Sequence, residues 1–336
     1  MIELRENRLA FSFPDVHARA QASIEFQRTL RIPDDGRDYP LPPGLGRFPL
    51  RHVDDHASRV PPTWIRHGGV MLPMYQSEAL WLNFNGHYPM AVKVAAGKID
   101  AVTGEAWTEG LHRHPQDYVV VPDQPGLDGY CVERGTIRQF VAMPLGAGYT
   151  AEEQLTGSAE FGGVQLLVYP MKREVWEKRQ RRAAHLVYSE DADGHYSNLA
   201  RSAGPTDMGL APGGRMRQEI YDDPYDPDDW DVACSSRCFV HLANSLAWRA
   251  ITGTNPPTTP PTAEEYTRQG LPWFDYYGGD VEVLGGSSQL ASLKSVFQMG
   301  KGKGDVPLPE NQSVEPTNVV HLRQGLADGQ VREGTF

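Results

Sequence analysis

From residue 79 to residue 170 the chain alternates short apolar, β-prone runs with tight-turn residues. ALWLNF (79–84) meets Asn85-Gly86, HYPMAVKVAA (87–96) meets Gly97-Lys98, and YVVV (118–121), YCVE (130–133), TIRQFVA (136–142) and VQLLVY (164–169) follow. Strand side chains alternate between two faces, so such runs read as half-buried or buried strands. Asn-Gly between apolar runs predicts a type I′ hairpin, because both central residues of that turn need positive φ. Trp81, Phe84, Val92, Val94, Val120, Phe140, Leu166 and Val168 are the expected interior. The predicted fold class is mainly β (α+β): a sandwich or jelly-roll-like antiparallel core with helical and irregular C-terminal additions.

The pattern divides the chain into four segments. Residues 1–63 hold N-terminal strands near 7–13 and 22–32 and a Pro-rich wrapping segment, PLPPGLGRFPL (40–50), whose Leu41, Leu45, Phe48 and Leu50 are expected to pack on the body. Residues 64–170 form the β-rich core. Residues 171–300 read as mixed helical and irregular, and 301–336 as a flexible tail in which only NVVHL (318–322) resembles a strand. The tail has few large apolar groups to offset its ordering entropy.

Helix signals are local. Thr150 with Glu153, and Thr262 with Glu265, have the spacing of capping boxes. MKREVWEKRQRRAAHL (171–186) reads as a solvated helix, 287–299 as a last helix, and 189–229 as a long irregular connection that includes Pro212-Gly213-Gly214. Residues 231–252 predict a buried helix with Cys238, Leu242, Leu246 and Ala250 in its apolar stripe and Gly253 at its end.

Composition narrows the function classes. Gly (34) and Pro (27) favour short strands and structured loops over long helices. With 32 Lys and Arg against 43 Asp and Glu, the net charge of −11 repels polyanions, so nucleic acid is not an expected partner. The apolar runs are strand-sized, well short of a membrane span, and MIELRENRLAFSF has no apolar signal core. Cys131, Cys234 and Cys238 are too few for a disulfide framework, and a reducing cytoplasm is expected.

Each motif that could carry chemistry is partial. His112-Arg-His114 followed by Asp117 places two imidazoles on one side of an extended segment with a carboxylate nearby. Asp117-Tyr-Val-Val-Val-Pro122 followed by Gly126 resembles the strand-and-turn of the cupin family, with Gln116 in place of a Gly and Asp128 near the place of a third His. The resemblance implies a metal-dependent enzyme holding a divalent transition metal through His112, His114 and Asp117. Cys234, Cys238 and His241 share one face of the predicted helix but lack a fourth zinc ligand, so core packing is the plainer reading. YDDPYDPDDWD (221–231) and SEDADGHYS (189–197) are acid-rich without a complete calcium loop and read as turns. Lys172, Arg173, Lys178, Arg179, Arg181 and Arg182, interleaved with Glu174 and Glu177, read as a solvated helix face.

The aromatic run Trp273, Phe274, Tyr276 and Tyr277 reads as a rigid docking anchor for a C-terminal segment, on its own body or on a neighbouring copy. The expected function is therefore a non-catalytic cytoplasmic binding or assembly protein with no cofactor, whose partner is protein, self through the C-terminal segment included. The alternative is the metal-dependent enzyme centred on His112 and His114.

Overall fold

The computed structural model describes residues 1–183, 207–277, 281–306 and 308–323. Six strands precede the core: β1 (Ile2–Arg5), β2 (Arg8–Ser12), β3 (Gln21–Thr29), β4 (Asp38–Tyr39), β5 (Gly44–Arg47) and β6 (Arg51–His52). The core supplies β7 (Val70–Met74), β8 (Ala79–Gly86), β9 (Met90–Ala96), β10 (Ile99–Asp100), β11 (Val119–Val121), β12 (Gly126–Leu127), β13 (Gly129–Glu133), β14 (Thr136–Pro144) and β15 (Val164–Pro170). Later come β16 (Asp207–Arg217), β17 (Ser236–Asn244), β18 (Trp273–Tyr277) and β19 (Val319–Arg323). The helices are short: α1 (Pro62–His67), α2 (Ala151–Thr156), α3 (Arg173–Ala183), α4 (Ser245–Thr252), α5 (Ala263–Arg268), α6 (Ser288–Ser292) and α7 (Val296–Lys303).

The fold is a mostly antiparallel β-rich α+β architecture, as the strand pattern predicts. Its main sheet bends until the chain itself links the two ends of the hydrogen-bonded path. From β8 the path runs through β14, β16, β17, β15 and β9 to β11. The chain then passes from β11 into β12, which pairs with β8 again. On the other side of β8, β3 pairs along eight residues and carries β2 and β1 outward.

The ring encloses the apolar interior. Phe84, Val92, Val94, Val120, Phe140, Leu166 and Val168 are all buried, and the Phe140 ring meets Tyr130 edge-on at 4.8 Å. Truncating Phe140 to alanine should cost about 3–5 kcal/mol of stability, read as a lower urea midpoint at unchanged slope. A loss below about 1 kcal/mol would show that the site collapses around the cavity. Phe48 and Leu50 are buried and Leu41 and Leu45 half-buried against the core, so the Pro-rich segment wraps the body as its apolar positions predict.

Four local expectations give way to tertiary pairing. Asn85-Gly86 is not a hairpin turn: β8 continues through both residues, opposite Ser23 and Ala22 of β3. A Cβ on Gly86 would lie 3.1–3.2 Å from Gln21 and Ala22, so this glycine serves close backbone approach instead of positive φ. Pro212-Gly213-Gly214 is not part of an irregular connection either; it lies inside β16, where Gly213 and Gly214 make a bulge opposite Gln139 of β14. A Cβ on Gly213 would stand 2.5 Å from the Val141 side chain, and one on Gly214 would strike the Pro33 carbonyl.

The predicted helix at 231–252 is a strand followed by a helix. Cys238, Val240 and Leu242 are buried with period two in β17, which is held by β15 on one side and by β7, in parallel, on the other. Only the last eight residues are helical, starting where the Asn244 side chain accepts the Leu246 amide and ending at Gly253. Leu246 and Ala250 of the predicted stripe are exposed. The last predicted helix, 287–299, is broken into α6 and α7, the second opened by a Ser295–Gln298 capping box. The boxes at Thr150 and Thr262 form as expected and open α2 and α5. Among the described residues no helix is long and apolar enough to cross a membrane.

Candidate functional site

The aromatic run and the strand-like part of the tail find each other. β18 and β19 pair in parallel within the chain, Trp273 opposite Val319 and Tyr276 opposite Leu322. Alternation along β18 then assigns the side chains. Trp273 is fully buried, donates its indole N–H to the Thr267 hydroxyl, and lies near the Tyr39 and Tyr266 rings. Asp275 receives both Nη2 and Nε of Arg217 at 2.7 and 2.9 Å. Phe274 and Tyr276, two residues apart, occupy the other face. Phe274 also exchanges backbone hydrogen bonds with Leu41, so the strand pair is fastened to the wrapping segment.

Phe274, Tyr276 and Leu322 form one wall of a groove of about 280 Å³. The wrapping segment, Leu41 to Gly44, forms the second wall. The floor comes from β8, whose Leu80, Leu82 and Phe84 turn inward while Trp81 and Asn83 turn out to the groove. Trp81 thus departs from the interior position expected of it. Gln124 to Gly126, Asp128, Gln218 and Glu219 complete the lining.

The polar groups of the groove are fixed by one another. Gln124 donates to the carbonyls of Gly126 and Glu219 and accepts the Tyr221 amide, which ties the loop after β11 to the segment after β16. Gln218 brackets Asp128: its Oε1 accepts the Asp128 backbone N–H and its Nε2 donates to Oδ1 at 2.5 Å. Asn83 donates to Glu25. Among the described residues no hydrogen bond reaches Asp128 Oδ2, and Glu219 Oε2 is sealed from solvent without a partner. Burial pushes the Asp128 carboxyl up to about 7, against the pull of the Gln218 hydrogen bond. Of the residues expected to interact, Phe274 and Tyr276 line this groove. The period-two phase of β8, which sets Trp81 and Asn83 on the face opposite Leu82 and Phe84, is a signal the interior reading of Trp81 missed, and nothing local marks Gln218 or Glu219.

The residues of the cupin-like patch sit elsewhere. Asp117 is buried, its Oδ2 accepting Lys93 Nζ at 2.7 Å and lying 2.7 Å from His112 Nδ1, while Oδ1 accepts the His112 backbone N–H. Lys93 is fully buried, and its other protons go to the Thr108 and Gly110 carbonyls at 2.8 Å. His112 and His114 are exposed. A divalent cation here would compete with Lys93 for Asp117. Among the described residues no three His, Cys, Asp or Glu side chains are grouped to hold a metal.

The other motifs serve the fold. Cys234, Cys238 and His241 lose their shared helical face in β17: Cys238 and His241 point to opposite sides of the strand. Burial raises the Cys238 thiol to about 12 and lowers His241 to about 4, where His241 stacks on Trp64 and its Nε2 meets the Gly68 carbonyl. In the acid-rich run, buried Asp223 accepts from the Tyr118 hydroxyl, the Trp230 indole and the Tyr225 amide, and Asp226 caps a 3-10 turn. Residues 189–197 lie outside the described residues. α3 carries the basic cluster as a largely exposed helix, with Arg173 and Arg181 pairing to Glu177. A larger cavity of about 480 Å³ lies against α7. Apart from Lys301, its charged groups are engaged locally: the Tyr149 hydroxyl bonds to Asp305, and Lys303, beside the cavity, to the Ala147 carbonyl.

No known protein family matches the chain, and no curated protein or solved structure matches it either.

Proposed function

We propose that the chain is a non-catalytic cytoplasmic binding protein, with the groove between the wrapping segment and the β18–β19 pair as its recognition site. The observation that carries the reading is the lining itself: aromatic and proline walls around two carboxylates with oxygens left unengaged. A concave, mostly apolar surface with a few convergent polar groups is the usual form of a small-ligand site. Among the described residues the groove lining holds no Ser, Thr, Cys, His or Lys. Three free cysteines support the reducing compartment. Binding is favoured over self-assembly through the tail because β19 already has its strand partner within the chain.

A thermal-shift screen of small amines, acids, alcohols and sugars tests the reading. Compounds that raise the melting temperature should lose their effect in Trp81→Ala and Tyr276→Ala and keep it in His112→Ala/His114→Ala. The opposite pattern, with stoichiometric transition metal on untagged protein, would establish the metal-dependent enzyme instead. Turnover of a bound compound that stops in Asp128→Asn would overturn the non-catalytic part.

A further inference from the structure

We propose that the groove takes an organic cation, an alkylammonium or guanidinium head of the kind a lysine or arginine side chain presents. The inference rests on the groove being the recognition site. It deepens that reading by naming the ligand.

Charge is the first argument. Two carboxylates, Asp128 and Glu219, line the groove, and among the described residues no Lys, Arg or His does. The neighbouring cation in sequence, Arg217, is held by Asp275 on the far face of β18. Hydrogen-bond capacity is the second. The side-chain amides of Asn83, Gln124 and Gln218 donate to Glu25, to two main-chain carbonyls and to Asp128. Two acceptors stay open, Asp128 Oδ2, on a side chain more than nine-tenths buried, and the Glu219 carboxylate, against one unpartnered donor, the Trp81 indole N–H. A positively charged donor can bond to Asp128 Oδ2 and lie in the field of the Glu219 carboxylate, whereas an anion is repelled by Glu219 and finds only the indole N–H.

Shape and aromaticity are the third. Trp81, Phe274 and Tyr276 line the groove with three aromatic rings, and a cation over the face of such a ring is attracted by its quadrupole. The volume of about 280 Å³ equals roughly nine waters at ~30 Å³ each, enough for a cationic head with its alkyl stem. Binding should also couple to protons. Gln218 and Glu219 from the segment after β16, Trp81 and Asn83 from β8, and Gln124 line the groove with Asp128, and of these only Glu219 carries charge. Burial holds the Asp128 carboxyl near 7, so a cation beside it favours ionisation and expels a proton. A ligand that needs the ionised form gains about tenfold in affinity from pH 6 to pH 8.

Isothermal titration of the full chain with n-butylammonium, n-butylguanidinium, n-pentanol and pentanoate decides it. Binding of the two cations, with no heat from the alcohol or the acid at equal concentration, is the expected result. Affinity should rise toward pH 8 and fall at least tenfold in Glu219→Gln and in Asp128→Asn, with melting curves confirming that each variant is folded. Two independent variants keep the test decisive if one of them fails to fold. Blocked tripeptides with a central lysine or arginine separate the sources: tighter binding than the free cations assigns a basic segment of a protein partner, and equal binding a free amine. Binding of the alcohol or acid in place of the cations, lost in Tyr276→Ala, would overturn the cation assignment and leave the groove standing. Silence from all four probes at millimolar concentration, with no stabilising compound in the thermal screen, would overturn both.

Discussion

Lys93→Ala should destabilise the protein by about 3–5 kcal/mol, the range for removing one partner of a buried ion pair. The ammonium is fully buried and each of its protons has an acceptor: Asp117 Oδ2 and the Thr108 and Gly110 carbonyls. Its removal leaves a buried carboxylate with only the His112 contacts and two main-chain carbonyls without donors. The effect is read as the urea midpoint at unchanged slope. Lys93→Met/Asp117→Asn should recover a large part of the loss, because replacing both charges removes the uncompensated one. A single-variant loss below about 1 kcal/mol would show that water reaches the Asp117 carboxylate when Lys93 is gone. A double variant no more stable than Lys93→Ala would place the energy in the ammonium's contacts with the Thr108 and Gly110 carbonyls and the Trp107 ring, and not in the uncompensated carboxylate.

Trp273→Ala should cost about 3–5 kcal/mol through the cavity it leaves. It should also weaken ligand binding in the groove, which the indole never touches. The route is geometric. Trp273 anchors β18 on the body through the Thr267 hydroxyl and the Tyr39 and Tyr266 rings, and the residues on the opposite face, Phe274 and Tyr276, make the groove wall. Trp273→Phe, which keeps most of the buried area, should retain binding, and Phe274→Ala, at a half-buried position, should reduce binding with a smaller loss of stability. Equal losses of stability in Trp273→Ala and Phe274→Ala would show that the two faces of β18 are not distinct. Full binding in a folded Trp273→Ala would mean that the backbone pairing with Leu41 and β19 holds the wall by itself.

Where the physics is local, the sequence carries the answer. The β-rich class follows from apolar residues spaced two apart, as in Leu82 and Phe84 or Val92 and Val94, all of them buried. The capping boxes at Thr150 and Thr262 form because a hydroxyl and a carboxylate three residues apart satisfy each other's backbone donors whatever surrounds them. NVVHL is a strand, and the 273–277 run docks, because both have the composition for it.

Tertiary structure decided the rest. Residues 236–244 fit a helical stripe and a strand alternation equally, and the strand prevails because β15 and β7 offer pairing on both sides. Gly86, Gly213 and Gly214 look like turn residues in sequence, and only the backbones and side chains lying against them show that they permit close packing. The groove as a whole was beyond local reading. Its walls come from positions 41–44, 81–83, 124–128, 218–219, 274–276 and 322, and no window of sequence contains two distant walls at once. Sequence sets the backbone preference of each segment. Which segments face one another is settled by the pairing and burial of the whole chain, and the open carboxylates of Asp128 and Glu219 exist only after that choice is made.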